Sequence, residues 1–229
     1  MKYNWDAKRY RELVEGTSNP WLKRYMELGL SFIVDNINNP KAKTFIGVGA
    51  GYGRAIPKLS AITRNFIAIE INKDMLIELT ETVSQYDNVS VIGGNAENLT
   101  SLLNDLDINK PVLLSLQNSL GTPEGDPNKI MSEMFNFAFN NKGEVIISLF
   151  IQEGLEKFGL SIYNSVSELT GKPDLYKTDF DNGDLISETG YKSHWWKKEE
   201  IDNIIKTSGG KLLNELRESY FHILHIGFE

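Results

Sequence analysis

A chain of 229 residues, 41% of them hydrophobic and 10% aromatic, can bury a sizeable core, and one α/β domain is the expectation at this length. Its 24 Lys and Arg against 31 Asp and Glu leave a net charge of −7, which repels polyanions and anionic membrane surfaces and argues against nucleic acid or membrane as a partner. The chain has no cysteine, so disulfides, thiolate nucleophiles and Cys-rich zinc sites are excluded, and no metal site is expected.

The first residues, MKYNWDAKRYREL, carry charges throughout and no apolar core of signal-peptide length. No later stretch approaches the roughly 18 uninterrupted apolar residues of a membrane span, so a cytoplasmic chain is expected. Residues 5–16 read as a short helix. A stronger one follows Asn19 as N-cap, with Pro20 at the first helical position, where its missing N–H is not needed. Leu22, Tyr25, Met26, Gly29, Phe32, Ile33 and Ile37 recur at the three-and-four spacing of one buried helix face. Both helices belong to an N-terminal cap over 1–40.

From Lys43 the pattern changes to short apolar runs separated by helical segments. Strands are expected at 43–48, 65–71, 89–92, 111–116 and 143–150, with helices at 53–61, 73–86, 97–106 and 127–141 between them. Such β-α units build a parallel sheet by right-handed crossovers. After Phe150 a helix is expected over 152–170, followed by a hairpin within 172–196. Its turn is assigned to Asp181-Asn182-Gly183, because Asn-Gly suits two successive positive φ angles. A helix over 198–208 has Glu199 and Glu200 in its first turn, where the dipole favours negative charge. Gly209-Gly210 ends it, and two strands complete the segment 197–229.

The expected fold is therefore α/β: a three-layer sandwich on a mostly parallel seven-stranded sheet with an antiparallel C-terminal strand and helices on both faces. The N-terminal helical segment and the inserted hairpin would cover a substrate. All of 1–229 is read as one domain whose core, 43–151, binds the cofactor.

Residues 44–54, TFIGVGAGYGR, put glycines at 47, 49, 51 and 53 directly after the first strand and before a helix. Only a backbone without Cβ makes such a turn and lets a ligand lie against it; the plain alternative is a tight turn holding nothing. Strand 65–71, NFIAIEI, brings in Glu70, about 20 residues beyond the second glycine, where an acid would hold a ribose diol. Loop and acid together imply a nucleoside-bearing cofactor, unless Glu70 is a solvated strand-end residue. The dinucleotide fingerprint G-x-G-x-x-G fails in every frame, because Tyr52, Arg54 and Ile56 stand where its last glycine should be.

The tighter run G-x-G-x-G resembles the first motif of class I (Rossmann-like) S-adenosylmethionine-dependent methyltransferases. The resemblance covers 43–151 by motif and the remainder by element order. It implies that Gly49, Ala50 and Gly51 lie under the methionine portion of the cofactor, with Gly47 standing where the family usually has an acid. It further implies that Glu70 binds the ribose and that Ile71 packs on the adenine face. VIGGNAENL at 91–99 looks like the third motif, with Asn95 in place of the usual Asp and Ala96 offering its amide. PVLLSLQNSLGT ends the fourth strand in Gln117 and Asn118, placed where the family faces sulfonium and substrate; a β-α loop cap is the plain alternative for Asn118. Asn118 is followed by Ser119-Leu120, so the Asp/Asn-Pro-Pro-aromatic motif of base amino methyltransferases is absent.

Methyl transfer from a sulfonium is an in-line displacement, so positioning is the main requirement and a base is needed only for a protonated nucleophile. His222 and His225 point to opposite faces of the last strand and are read as structural. His194 lies just after the hairpin and is the candidate base or substrate contact, together with Asn118 as the second catalytic candidate. Tyr3, Trp5, Tyr10, Tyr191, Trp195 and Trp196 are candidate pocket walls for an aromatic or cationic substrate, or else glue a lid to the sheet. The expected activity is methylation of a small molecule or protein side chain, the alternatives being a nucleic-acid methyltransferase, a nucleotide-dependent oxidoreductase or a cofactor binder without catalysis.

Overall fold

The computed structural model describes residues 6–122 and 124–228. Two helices open it: α1 (Ala7–Glu15) and α2 (Pro20–Asn36). The Asn19 side chain accepts from the amides of Trp21 and Leu22 and caps α2, whose buried positions include Leu22, Tyr25, Met26, Gly29, Phe32 and Ile33. Then strands and helices alternate: β1 (Thr44–Val48), α3 (Ile56–Ser60), β2 (Asn65–Glu70), α4 (Lys73–Val83), β3 (Val89–Gly93), α5 (Leu99–Leu103), β4 (Val112–Ser115), α6 (Pro127–Asn140) and β5 (Glu144–Phe150). Short helices α7 (Leu160–Ser165) and α8 (Ser167–Thr170) lead to a small ladder of β6 (Asp184–Ile186) and β7 (Lys192–His194). The chain closes with α9 (Lys198–Thr207), β8 (Lys211–Arg217) and β9 (Phe221–Gly227).

The seven-stranded sheet has the order β3-β2-β1-β4-β5-β9-β8. Strands β1 to β5 are mutually parallel, and β9 runs antiparallel to both β5 and β8. Because sheet residues alternate in direction, neighbouring residues feed separate cores. Phe45, Phe66, Leu114 and Ile146 pack with α2, α3 and α4 on one face, while Ile46, Ile67, Leu113 and Ile147 pack with α5, α6 and α9 on the other. Chain order reverses between β1 and β4, and the crevice above such a switch point is where open α/β sheets take ligands.

Two expectations fail locally. The helix expected over 152–170 is a 3₁₀ turn at Gln152–Gly154, a π turn at Leu155–Gly159 and then α7 and α8. A Cβ on Gly154 would stand 2.5 Å from the Tyr220 backbone, and one on Gly159 2.8 Å from the Trp195 ring. Close packing at these glycines thus overrides straight helical continuation, and an isolated π turn absorbs the mismatch. The hairpin turn is also misplaced: β6 and β7 are joined through 187–191, with the Tyr191 carbonyl accepting from Ser187. Asp181-Asn182-Gly183 instead closes a loop pinned by reciprocal backbone bonds between Asp179 and Asp184. Only Gly183 of that dipeptide takes a positive φ, and Asn182 uses its side chain on Asp179.

No helix among the described residues is long and apolar enough to cross a membrane. At the strand ends remote from the switch-point crevice, Glu144 opens β5 and accepts from Lys43 Nζ and from His225 Nε2 at 2.8 Å. His225 is 2% exposed. Burial raises the Glu144 carboxyl, but the hydrogen bonds from His225 and Lys43 outweigh it and hold the group below the usual carboxylate range. His222 is bound separately, to Glu215 at 2.8 Å. Removing one member of a buried ionic cluster strands the others. Glu144→Ala should therefore lower unfolding free energy by about 3 kcal/mol at neutral pH, read from the urea midpoint. A carboxyl depressed on folding stabilises above its unfolded value and stops doing so as pH falls through its folded value, so the gap between wild type and variant should close on acidification below pH 4.5. Equal midpoints at neutral pH would contradict the account.

Candidate cofactor and substrate site

Where β1 ends, the chain turns on three glycines with positive φ: 71° at Gly49, 57° at Gly51 and 89° at Gly53. The amides of Gly49 and Ala50 both donate to the Ile69 carbonyl at 3.0 Å, folding the loop back on the end of β2. Glu70 completes this join. Its Oε2 accepts from the Gly51 amide at 2.7 Å, and its Oε1 accepts from Ile71 at 2.9 Å and Asn72 at 2.8 Å. Burial pushes the Glu70 carboxyl above the usual range, against the three backbone donors that pull it down. A Cβ on Gly51 would meet nothing within 4 Å. The loop is therefore held open over empty space, with a carboxylate in its wall.

The end of β4 is equally unusual, since Gln117 and Asn118 take φ angles of 54° and 57°, costly for residues with a Cβ. The Gln117 amide donates to Ser148 Oγ at 2.9 Å, and that hydroxyl also bonds the Tyr25 phenol at 2.8 Å. Asn118 is 1% exposed. Its Oδ1 accepts from the Phe150 amide at 3.1 Å, and its Nδ2 donates to the His194 carbonyl at 3.0 Å. This one side chain pins β4, β5 and β7 together.

These elements enclose a cavity of about 290 Å³. Of the expected cofactor residues, Gly47, Gly49, Ala50, Gly51, Glu70, Ile71, Asn95, Ala96 and Gln117 all line it. Asn95 also caps the short turn after it by accepting from Glu97 at 2.9 Å. Beyond the glycine loop the cavity runs on between α1, α2, α7 and α8, walled by Tyr10, Leu22, Tyr25, Ile162, Tyr163 and Leu169. Tyr191 is the contribution of the hairpin.

Three other expected residues lie elsewhere. His194 is not on the cavity wall; its Nδ1 bonds Asp184 at 2.7 Å and its Nε2 bonds Glu200 at 3.1 Å, so both ring nitrogens are occupied in tying β7 to β6 and α9. Trp195 is fully buried and stacks on Phe150 with ring centres 4.3 Å apart. Trp196 packs in the opposite core with Ile201 and Ile204. Asn118 touches the cavity, but its side chain is committed to structural bonds. Tyr3 and Trp5 lie outside the described residues. The sequence reading passed over Arg54, Tyr25 and Tyr163, although all three face the cavity. Arg54 was legible only as the residue after the last loop glycine, and Tyr25 as one more apolar position of α2.

No protein-family model matches the chain, and no curated protein matches it in sequence. Solved structures do resemble it. A methyltransferase dependent on S-adenosylmethionine from Aquifex aeolicus superposes with a TM-score of 0.60 at 14% identity, over 99% of this chain and 100% of its own. One from Clostridium acetobutylicum gives 0.61 at 14% identity, over 97% of each chain. The magnesium protoporphyrin IX methyltransferase from Synechocystis, with bound S-adenosylhomocysteine, gives 0.60 at 14% identity over 97% and 94%. The fold is that of the class I S-adenosylmethionine-dependent methyltransferases.

Because Asn118 satisfies a buried donor and a buried acceptor, Asn118→Ala should cost about 2 kcal/mol of stability. Asn118→Asp, which still accepts from Phe150 but has no N–H for the His194 carbonyl, should also lower the urea midpoint. Wild-type midpoints in both variants would show that the pin contributes nothing.

Proposed function

We propose that this chain is an S-adenosylmethionine-dependent methyltransferase acting on a small molecule. The observation that carries the reading is the Glu70 carboxylate, set in the cavity wall at the end of β2 beside a glycine loop with open space above it. The residues fit a nucleoside ligand that bears no phosphate: the loop lacks the dinucleotide spacing, and the cavity wall next to Glu70 contains Ile71, Asn95 and Ala96, an apolar side chain and an amide suited to a purine. Glu70 would hold the ribose, Ile71, Asn95 and Ala96 the base, and Gly49, Ala50, Gly51 and Gln117 the amino-acid end.

When bound, the cofactor supplies an electrophilic methyl group on a sulfonium. The protein's own work is then orientation and exclusion of water. Tyr10, Leu22, Tyr25, Ile162, Tyr163 and Tyr191 wall the space in which an acceptor would be held, and an acceptor atom must sit about 3–3.5 Å from the methyl, in line with the bond that breaks. No histidine is among the described lining residues. Tyr25 and Tyr163 are buried phenols whose pKa values burial raises, so neither accepts a proton near neutral pH, and an acceptor that arrives unprotonated suits the chamber best. The enclosed chamber and the net charge of −7 favour a small acceptor over a nucleic acid.

Calorimetric titration tests the reading. The protein should bind S-adenosylhomocysteine and not NAD, and Glu70→Ala should weaken that binding by about 1.5–3 kcal/mol through lost hydrogen bonds to a charged acceptor. Binding of NAD without response to S-adenosylhomocysteine would overturn the proposal. Unchanged affinity in a folded Glu70→Ala protein would remove Glu70 from the site.

A further inference from the structure

We propose that Arg54 is the anchor for an anionic methyl acceptor, a small organic carboxylate with an apolar or aromatic body. This rests on the methyltransferase reading and adds a substrate class to it.

Arg54 follows the last glycine of the loop and lines the cavity. Its Nε donates to Gln117 Oε1 at 3.1 Å. No carboxylate lies within ion-pair distance of it among the described residues, and its two terminal nitrogens have no hydrogen-bond partner there. It is also the one cation among the described lining residues; the two carboxylates, Glu70 and Glu124, are engaged around Asn72 at the end of β2. The Arg54 charge acts at longer range on the phenols of Tyr10, Tyr25 and Tyr52 and on the Glu15 carboxylate. The first two belong to α1 and α2, which wall the chamber beyond the glycine loop.

Arg54 is half-buried; a guanidinium cannot shed its charge by losing its proton, and a cation partly withdrawn from water with no counter-ion in contact is costly. No carboxylate among the described residues is in contact with it, and a bound anion would supply that counter-ion. With Nε fixed by Gln117, the remaining fork presents parallel N–H donors of the geometry that a carboxylate accepts in pairs. The surrounding Val14, Leu22, Phe150, Ile162, Val166 and Leu169 would receive the apolar remainder of such a molecule. Beside the Arg54 guanidinium an anionic acceptor meets an opposite charge. The cationic substrate that the aromatic residues alone suggested would add a further like charge. A carboxylate could also come from the cofactor's own amino-acid end, and the experiment separates the two sources.

In the presence of saturating S-adenosylhomocysteine, phenylacetate and hexanoate are titrated calorimetrically against phenylacetamide and hexanamide. The wild type should bind at least one acid roughly tenfold more tightly than its amide. Arg54→Met should erase that preference, Arg54→Lys should keep part of it, and affinity for S-adenosylhomocysteine should stay within about threefold. Thermal melting verifies that each variant is folded, and the wild-type comparison of acid with amide stands even if Arg54→Met is not. Equal binding of acids and amides, or binding of none of the four, overturns the proposal. So does an Arg54→Met protein that loses roughly tenfold or more in affinity for S-adenosylhomocysteine yet binds 5′-methylthioadenosine, which lacks the carboxylate, as wild type does; the anion is then the cofactor's. If the wild type binds no S-adenosylhomocysteine, the methyltransferase reading fails by itself, and the acid-amide comparison in its absence still decides the role of Arg54.

Discussion

The shape of the site hangs on one carboxylate that accepts three backbone amides. Glu70 receives N–H donors from Ile71 and Asn72 in its own strand end and from Gly51 across the crevice. Hydrogen bonds to a charged acceptor are worth about twice neutral ones, and here they join the ends of two adjacent parallel strands. The β1 loop can reach Glu70 only because Gly49, Gly51 and Gly53 adopt φ angles that other residues rarely take. Gly53 has a second reason to be glycine, since a Cβ there would stand 2.8 Å from the Leu79 side chain of α4. Loop, strand end and helix are thus set by mutual fit, and the cavity is what this fit leaves open.

Around that point the molecule separates stability from chemistry. The ionic cluster of Lys43, Glu144 and His225 sits where β5 begins and β9 ends, while the cavity lies beyond the opposite ends of the parallel strands. Asn118 and the stacked Phe150 and Trp195 fix the sheet to the hairpin behind the chamber. Two adjacent non-glycine residues with positive φ, Gln117 and Asn118, lie on the cavity wall. The terminal nitrogens of Arg54, which have no hydrogen-bond partner among the described residues, are left to face the cavity.

How much of this was legible in the sequence follows from which forces are local. The five parallel strands read clearly because strands covered on both faces become continuous apolar runs; all five residues of β1 are buried. Asn19-Pro20 fixed the start of α2, and the glycine loop with Glu70 marked the crevice because each requirement is a backbone or charge property written in a few neighbouring residues. Tertiary packing hid the rest. Asn182-Gly183 carries a hairpin signal, yet Asn182 is drawn to Asp179 and the ladder forms one loop later. His194-Trp195-Trp196 looked like a pocket wall, but alternation along the chain sends the two indoles into opposite cores. Nothing local distinguishes Arg54 from a surface arginine; only the enclosure by α1 and α2 makes its charge conspicuous.

A crystal structure of the protein soaked with S-adenosylhomocysteine tests the central claim most directly. The account predicts the ribose hydroxyls within hydrogen-bond distance of the Glu70 carboxylate, the adenine beside Ile71, Asn95 and Ala96, and the sulfur facing the chamber walled by Tyr10, Tyr25 and Tyr163. A ligand bound elsewhere on the molecule, or a glycine-loop crevice still empty at saturating ligand, would contradict it.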